Sequence, residues 1–463
     1  MTRDLFSTLR EAVTAGEVRT EPSAIHRLGP GRLAFVAISA SAPFTVLAGG
    51  VVAAFAVTGD PGMPLALALV AAVLALFVVG YAALSARVVE PGGFYSYLRF
   101  GFGQRAGVAG GFVALLGYAA IQVGLYGLFG ASLAALLGLP WWACAVLAWV
   151  AVAVLGVLCV EFNAAVLCTL LAAEVLAVLV FDVGALSHPA AGDALAGLAP
   201  STLGTPAAGA LLAFAVACFV GFESSAMYSA ECRDPRHTVA RATWAALAFC
   251  GVFYTFSAWA LTITVGPSQV GLVATDPGLV FTLLADHWGR PVAAVANLLF
   301  LTSIFAALLS FHNAVARYLH QLGRDRVLPV ALARETGTGA PLAGSVVQSL
   351  VGAAVIALFA AASIDPVLGL FTWSSGLAAV AVVALLAATS AAAARVTTGA
   401  VRATSTAAAL ALAGLLVVLV AWFGSLVGDA GPALRWGLPA AVAVAAVAGA
   451  AWPTPRRAAG APA

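Results

Sequence analysis

The chain has 463 residues, of which 63% are hydrophobic and only 9% are charged, and its mean hydropathy is +1.05. Soluble domains carry about 25% charged residues, so this composition excludes a water-soluble globular protein. The net charge of +2 gives no indication of a nucleic-acid partner. We expect the lipid bilayer to be the solvent of this protein.

Apolar stretches of about 20 residues, each long enough to cross about 30 Å of hydrocarbon, recur along the chain. The pattern predicts an all-α polytopic membrane protein of about twelve spans. They lie at 33–57, 63–86, 104–132, 141–160, 163–186, 207–231, 239–266, 290–320, 342–362, 366–391, 405–427 and 433–452. The first 32 residues are polar and lack the short apolar core of a cleavable signal, so span 1 is expected to be retained.

The arginines predict the orientation. The chain has no lysine, and with the N-terminus inside, only Arg290 and Arg435 of its 21 basic residues fall outside. This bias satisfies the positive-inside rule. It predicts a cell-membrane protein with both termini in the cytoplasm. The six cysteines show no metal-ligand spacing and are interpreted as free packing residues.

Spans 1 and 6 carry helix breaks near their middles. Span 1 contains Ser41-Ala42-Pro43, and Pro43 cannot donate a backbone hydrogen bond and disfavours a helical Ala42. Span 6 contains Gly221, which lowers helix propensity, followed by serines that can cap a new helix start. Interrupted backbone at membrane depth is tolerated only beside protein or a cavity. A pair of breaks five spans apart indicates a transporter with a site at the midplane.

The two breaks are suited to a zwitterion. The free N–H groups after Pro43, with the hydroxyl of Ser41, suit a carboxylate, and the carbonyls that end each first half suit an ammonium. Span 3 adds Tyr118, Gln122 and Tyr126 on one face, which we expect to line a cavity because Gln122 is costly in lipid. Trp373 is a further aromatic candidate. The predicted substrate-binding residues are Ile38, Ser39, Ala40, Ser41, Ala42, Tyr118, Gln122, Ala217, Phe219, Val220, Gly221 and Phe222.

Glu223 is the most informative single residue for coupling. A carboxylate near the bilayer centre costs about 2.5–3.5 kcal/mol on insertion scales, so a cavity-facing functional role is expected. Two interpretations stay open: a proton carrier, or a Glu that pins the broken helix by hydrogen bonds to backbone. Glu174 in span 5 and His312 in span 8 are weaker candidates.

Three motifs resemble the amino acid–polyamine–organocation (APC) permeases. Gly221-Phe222-Glu223, with Glu231, Asp234-Pro235-Arg236 and Arg241-Ala242, is similar to their span 6–7 signature. Glu90-Pro91-Gly92-Gly93-Phe94-Tyr95-Ser96-Tyr97 resembles their Gly-Gly-x-Tyr segment, and Arg317-Tyr318 with Gly323-Arg324-Asp325 and Leu328-Pro329 resembles their loop after span 8.

The resemblance covers spans 1 to 10 and implies the leucine-transporter (LeuT) fold, with five-plus-five inverted repeats and discontinuous spans 1 and 6. The implied domains are a tail at 1–30, a transporter core at 31–391 with repeats at about 33–186 and 207–391, peripheral helices at 405–452, and a tail at 453–463. The sequence departs from the family pattern at Ser39-Ala40-Ser41, at Ala217, where relatives often carry a gating aromatic, at Ala240, where Pro is usual, and at Arg326, where Gly is usual.

The function expected is secondary active transport of amino acids or related amines, by proton symport and alternating access. Sodium coupling or exchange is the alternative, since Ser303 and Ser310, or the pair Thr302-Ser303, offer span 8 hydroxyls to a sodium ion. A lysine, which replaces sodium in some proton-coupled relatives, is absent. A channel, a receptor or a membrane enzyme is the alternative class. No cofactor and no metal are expected; the expected partners are a small-molecule substrate, a coupling ion and lipid.

Overall fold

The computed structural model describes residues 29–90, 92–158, 164–232, 234–276, 278–336, 340–426 and 432–453. Most of the predicted N-terminal tail, the end of the C-terminal tail and Cys159 lie outside the described residues. The five other cysteines form no disulfide with one another, as interpreted from the sequence. Within the described ranges the regular elements are helices.

Each predicted span corresponds to a helix or to an interrupted pair of helical segments. Span 1 comprises Pro30–Ser41, Pro43–Thr45, the π-helical Val46–Val51 and Val52–Thr58, and span 6 comprises Ala208–Phe219 and the 3₁₀-helical Phe222–Glu231. The remaining spans are Met63–Ser85, Gln104–Leu137, Trp141–Leu158, Ala164–Ser187, Pro235–Val265, Arg290–Arg324, Leu342–Ala361, Pro366–Phe371 (π-helical) continued by Thr372–Val396, Gly399–Leu426 and Pro432–Ala451. Two shorter helices, Phe94–Phe102 and Leu279–Trp288, precede spans 3 and 8.

Eleven of these spans are long and apolar enough to cross a membrane. The twelfth predicted span is represented by Trp436–Ala451, which is apolar but shorter than the others. The all-helical polytopic fold predicted from composition is therefore confirmed, with eleven clear crossings among the described residues.

Spans 1 and 6 lie at the centre of the bundle. In their most apolar stretches 83% and 89% of the residues are buried, against 28% in spans 4, 9 and 11. Side chains of the peripheral spans face outward, where lipid would cover them. The two interrupted spans are thus enclosed by protein, which is the only environment in which broken backbone is tolerated at membrane depth.

The break in span 1 falls at Ala42, as predicted. Ala42 has a φ of 47°, a left-handed conformation that is unusual for a residue with a side chain. Pro43 then starts the second half of the span. The change of direction between the two halves therefore depends on a strained residue followed by a residue without an N–H group.

The break in span 6 falls at Val220 and Gly221. Val220 is extended, and Gly221 has a φ of 110°, which favours glycine. A Cβ atom at Gly221 would lie 3.2 Å from the backbone carbonyl carbon of Ala40. The two breaks therefore touch each other, backbone against backbone, because residue 221 has no side chain.

Candidate functional site

A cavity lies where the two breaks meet. Its volume is about 40 Å³, enough for a few water molecules at most. Its walls come from spans 1, 3, 6, 8 and 10. The lining residues are Ala40, Ser41, Ala42, Thr45, Val46, Gly50, Ile121, Leu125, Phe214, Ala217, Cys218, Val220, Ala307, Phe311, Phe371 and Ser375. Any larger solute requires spans 1 and 6 to separate.

Five of the predicted substrate-binding residues line this cavity. Ala40, Ser41 and Ala42 do so from span 1, and Ala217 and Val220 from span 6. Gly221 lies directly behind, against Ala40. The sequence therefore located the two wall segments, because proline, glycine and serine mark the places where the helices break.

The carbonyl groups at the end of the first half of span 1 were expected to be unpaired, but they accept a hydrogen bond within the protein. The N–H of Ala42 donates to the carbonyls of both Ile38 and Ser39 at 3.1 Å, so these carbonyls already have a partner and neither residue lines the cavity. In span 6, the N–H of Val220 donates to the Ala217 carbonyl at 3.2 Å. The left-handed Ala42 thus caps its own helix, which composition could not predict.

Two hydroxyl groups of span 1 have hydrogen-bond partners in different spans. The Ser41 hydroxyl donates to the Ala37 carbonyl at 3.2 Å, whereas the Thr45 hydroxyl donates to that of Ser303 at 3.1 Å. Thr45 lines the cavity and was not predicted. Its position two residues beyond the proline, in the first turn of the second half-helix, is the signal that would have identified it.

The aromatic side chains that line the cavity differ from those named as candidates from the sequence. Phe219 and Phe222 point away from the cavity, toward Tyr254 and Phe77 respectively. The lining aromatics are Phe214, Phe311 and Phe371. Phenylalanines in an apolar helix carry no signal of which face meets a cavity, so sequence alone could not separate these two groups. Trp373 contacts Phe359.

The polar face of span 3 serves a different purpose from the one expected. Gln122 is buried and donates to Tyr126 at 3.2 Å, while Gln348 donates to its amide oxygen at 2.6 Å. The cavity is instead lined on this span by Ile121 and Leu125. Gln122 is buried, as expected of a side chain excluded from lipid, and Gln348 of span 9 is one of its hydrogen-bond partners.

His312 belongs to the same buried cluster. One ring nitrogen lies 2.7 Å from the Ser345 hydroxyl and the other 3.4 Å from the Gln122 amide nitrogen. Gly156 of span 4 packs directly against the ring. These contacts join spans 3, 4, 8 and 9 by polar interactions outside the cavity.

Glu223 lies behind the cavity wall with both carboxyl oxygens occupied. The Gly221 N–H donates to one at 3.0 Å, and the Tyr118 hydroxyl donates to the other at 2.6 Å. The Tyr118 ring stacks on Phe311, a lining residue. The carboxyl group therefore links the break of span 6 to span 3, and it meets the cavity only through an aromatic side chain.

Glu174 is connected to the cavity through a hydroxyl group of span 8. Its buried carboxyl group lies next to the Ser303 hydroxyl and the backbone amide of Phe44. Because Ser303 in turn accepts from Thr45, the carboxyl group is one hydroxyl away from the cavity wall. Phe44 is the first residue after Pro43 that has an N–H group, so Glu174 faces the positive end of the second half-helix.

The other predicted hydroxyl groups of span 8 do not join this group. The Thr302 hydroxyl donates to the Leu299 carbonyl at 2.8 Å, and Ser310 is half-buried and does not line the cavity. Ser303 alone of the three contacts span 1. Its contact with Thr45, which joins residues 258 positions apart, could not be anticipated from the sequence.

A polar network closes the bundle on the side that the arginines predict to be cytoplasmic. Arg99 bridges Asp325, at 2.8 Å, and Glu90. The Tyr95 hydroxyl donates to Asp325 at 2.6 Å, and burial together with this hydrogen bond raises the pKa of Tyr95 to about 12. The network connects two of the family-like motifs, the Gly-Gly-x-Tyr segment and the loop after span 8.

An enclosed cavity between two interrupted central helices is the arrangement of a membrane transporter. The chain belongs to the amino acid permease family, whose model matches residues 28–448. The match includes spans 1 to 11 and most of the last span, Pro432–Ala451. The family resemblance and the discontinuous spans 1 and 6 are confirmed, while the limits of the two repeats remain predictions.

Relatives of the chain are also transporters. Uncharacterized transporters of Mycobacterium tuberculosis and Mycobacterium bovis are each 28% identical to it over 320 residues, which cover 66% of this chain and 68% of the relative. The chain is thus a membrane transporter by family and by its relatives.

Solved structures of similar shape include the manganese transporter of Eremococcus coleocola in complex with an aromatic bis-isothiourea substituted compound. Its TM-score is 0.59 at 15% identity, with 95% of this chain and 98% of that chain covered. A mutant of the same transporter gives 0.60 at 15% identity, with 96% and 98% covered. At this identity the likeness concerns the fold alone. The described part of this chain contains no cluster of three or more metal-binding side chains.

Replacing Ala217 with Trp is expected to fill the cavity. A cavity of about 40 Å³ cannot hold an indole, so spans 1 and 6 could not close on a solute. Uptake in proteoliposomes should fall at least about tenfold, the equivalent of about 1.4 kcal/mol, and large solutes should be lost before small ones.

Ala245→Trp, on an exposed face of span 7, is the matched control and should transport normally. A well-folded Ala217→Trp protein with an unchanged substrate profile would show that this wall does not contact the solute.

Proposed function

We propose that the protein is a secondary active transporter of amino acids or related amines that works by proton-coupled alternating access around spans 1 and 6. It acts in the cell membrane, with both termini in the cytoplasm. The observation that carries the proposal is the cavity between the two breaks, with the buried Glu174 carboxyl group one hydroxyl away from its wall. Substrate enters when the bundle opens on one side and leaves when it opens on the other.

The substrate's carboxylate is proposed to bind the amides that follow Pro43. These N–H groups begin a half-helix, whose positive dipole end attracts an anion. The ammonium group is proposed to lie at the contact between the two breaks, near the carbonyl of Ala40, which faces Gly221. An α-amino acid presents a carboxylate and an ammonium group a few ångströms apart, so it can bind the amides and the carbonyl at the same time.

Glu174 is proposed to carry the coupled proton. Its carboxyl group lies beside the Phe44 amide, which is part of the same half-helix end. Two carboxylates a few ångströms apart repel by about 4 kcal/mol at an effective dielectric constant of about 20. The substrate's carboxylate therefore binds best when Glu174 is protonated, and this linkage couples the two ligands.

Glu223 is proposed to hold the break of span 6 in place. The sequence favoured this residue as the proton carrier, but its oxygens accept hydrogen bonds from Gly221 and Tyr118. The contacts of Glu223 suit a fixed structural link, whereas those of Glu174 suit a group that changes charge beside a ligand.

Sodium coupling remains the second candidate because the oxygen atoms around Glu174 could also bind a sodium ion. The Glu174 carboxyl and the hydroxyls of Ser303 and Thr45 lie together, and oxygen ligands of this kind suit a hard cation. Exchange of one substrate for another without a coupling ion is the third mode.

A competition panel in proteoliposomes tests the proposal. Unlabelled amino acids, their decarboxylated amines and amine-free carboxylic acids compete with a labelled amino acid, under imposed proton or sodium gradients. We expect amino acids to compete, acids to fail, and accumulation to follow the proton gradient. Amines that compete as well as their parent amino acids would indicate an amine transporter. Accumulation driven by a sodium gradient alone would show that sodium, and not the proton, is the coupling ion.

A further inference from the structure

Span 5 contains a second buried acidic residue that the coupling scheme does not use. Asp182 is 2% exposed, and one of its carboxyl oxygens accepts from the Ser257 hydroxyl at 2.9 Å. The other oxygen, Oδ1, is buried without a hydrogen-bond partner among the described residues. The sequence signal was present, since Asp182 interrupts an apolar span as Glu174 does.

A passive role does not account for this side chain. An acidic residue within a membrane span is costly, and such residues mark ion and proton pathways. An asparagine would accept the same hydrogen bond from Ser257 without the cost of a charge. The unpaired oxygen adds a further penalty, because a buried acceptor without a donor has lost its hydrogen bonds to water.

Asp182 and Glu174 share the buried side of span 5. They are eight residues apart, which corresponds to about 12 Å along the helix. Span 7 packs against this side and contributes Ser257, which donates to Asp182, and Tyr254, whose hydroxyl donates to the carbonyl of the cavity-lining Ser41 at 3.3 Å. Hydroxyl groups of span 7 therefore extend from Asp182 toward the cavity.

Asp182 lies near the end of span 5 that the arginine bias predicts to be external, since the helix ends at Ser187. His188 follows this end, His287 and Trp288 pack against Gly184 of span 5, and Asp286 lies beside His287. The two histidine rings stack with centroids 4.4 Å apart, and burial together with the neighbouring His188 lowers the pKa of His287. No arginine lies within the described part of span 5, so Asp182 has no cationic partner on its own helix.

We propose that Asp182 is a proton relay residue that connects external water to Glu174. An external hydronium ion transfers its proton to the Asp182 carboxylate and leaves as water. The proton then passes along the hydroxyls of span 7, and the water that enters when the bundle opens, to the Glu174 carboxylate. Each O–H bond breaks as the next one forms, and Asp182 returns to its ionised state. The inference rests on the proposed proton coupling.

The test compares Asp182→Asn with wild-type protein in proteoliposomes. We expect the initial rate of proton-driven uptake to fall at least about a hundredfold, the lower end of the range for a positioned proton-transfer group. Counterflow exchange, which requires no net proton movement, should keep its wild-type rate. Asp182→Glu should restore part of the driven rate with a changed pH profile. Asp286→Asn, at an exposed external position, is the matched control and should behave as wild type.

The outcomes separate this inference from the proposed function. Wild-type protein that shows no proton-driven uptake would overturn the coupling itself. Proton-driven uptake that is normal in Asp182→Asn would overturn the relay and leave the coupling intact. A parallel loss of exchange and driven uptake would also overturn the relay, because it indicates a structural role. Should Asp182→Asn fail to reach the membrane, Ser257→Ala replaces it, and an unaltered driven rate in that variant counts against the relay.

Discussion

Replacing Glu174 with Gln is expected to abolish proton-driven accumulation while leaving substrate exchange intact. The amide keeps the size of the side chain beside Ser303 and Phe44 but cannot gain or lose a proton. It also removes the negative charge that competes with the substrate's carboxylate. Binding should therefore become independent of pH, whereas in wild-type protein it should strengthen as the pH falls. Accumulation ratios, counterflow and binding at several pH values measure the three effects.

Glu223→Gln is the matched variant. The amide oxygen still accepts from the Gly221 N–H, and the amide nitrogen can donate to a rotated Tyr118 hydroxyl, so the link between spans 6 and 3 is kept. We expect accumulation to persist, with at most a modest loss of stability. Glu223→Ala, which removes both hydrogen bonds, should be strongly destabilised, because deleting one partner of a buried pair costs about 1–3 kcal/mol per group.

The reverse pattern would change the assignment. Loss of accumulation with preserved exchange in Glu223→Gln, and normal behaviour in Glu174→Gln, would identify Glu223 as the carrier. Sodium-driven uptake that persists in both variants, with no response to a proton gradient, would exclude either residue as a proton carrier.

The positions of the helix breaks were predictable from sequence because they depend on local chemistry. Pro43 lacks an N–H group and Gly221 tolerates a positive φ, and both properties can be read directly from the residue type. The spans were predictable for a similar reason, since their length and apolar composition follow from the thickness of the bilayer.

The cavity wall was less predictable because it depends on the rotation of each helix. On span 3, Tyr118 and Gln122 were expected to meet the cavity, but Ile121 and Leu125 do so. The polarity of Tyr118 and Gln122 excluded them from lipid. It could not show whether their partner is a solute or another side chain such as Gln348. In an apolar bundle, lipid and protein neighbours favour the same side chains. Periodicity therefore gives little information on which side of a helix faces the cavity.

Pairings between distant spans could not be predicted at all. Thr45 contacts Ser303 across 258 residues of sequence, and Tyr118 contacts Glu223 across 105. Hydroxyl and carboxyl groups in separate helices satisfy each other only after the bundle has assembled. The choice between Glu174 and Glu223 therefore depends on contacts that only a three-dimensional structure supplies.

Replacing Gly221 with Val is expected to eliminate transport. A β-branched residue at a φ of 110° is strained by about 1–3 kcal/mol. Its Cβ atom would also lie within 3.2–3.3 Å of the Ala40 backbone and side chain, and backbone there cannot move without shifting the break of span 1. We expect uptake and exchange to be lost together and the midpoint of thermal unfolding in detergent to fall.

Gly414→Ala provides the contrast that makes this result specific. Gly414 lies in the regular helix of span 11, where an added Cβ atom would meet nothing within 4 Å. The substitution should leave transport unchanged and stabilise the protein by about 0.4–1 kcal/mol, because alanine restricts the unfolded chain. If Gly221→Val retained wild-type transport, the close contact between the two breaks would not be needed for the transport cycle. The proposed ammonium site at this contact would then have to be abandoned, since the Ala40 carbonyl could not keep its position beside a valine.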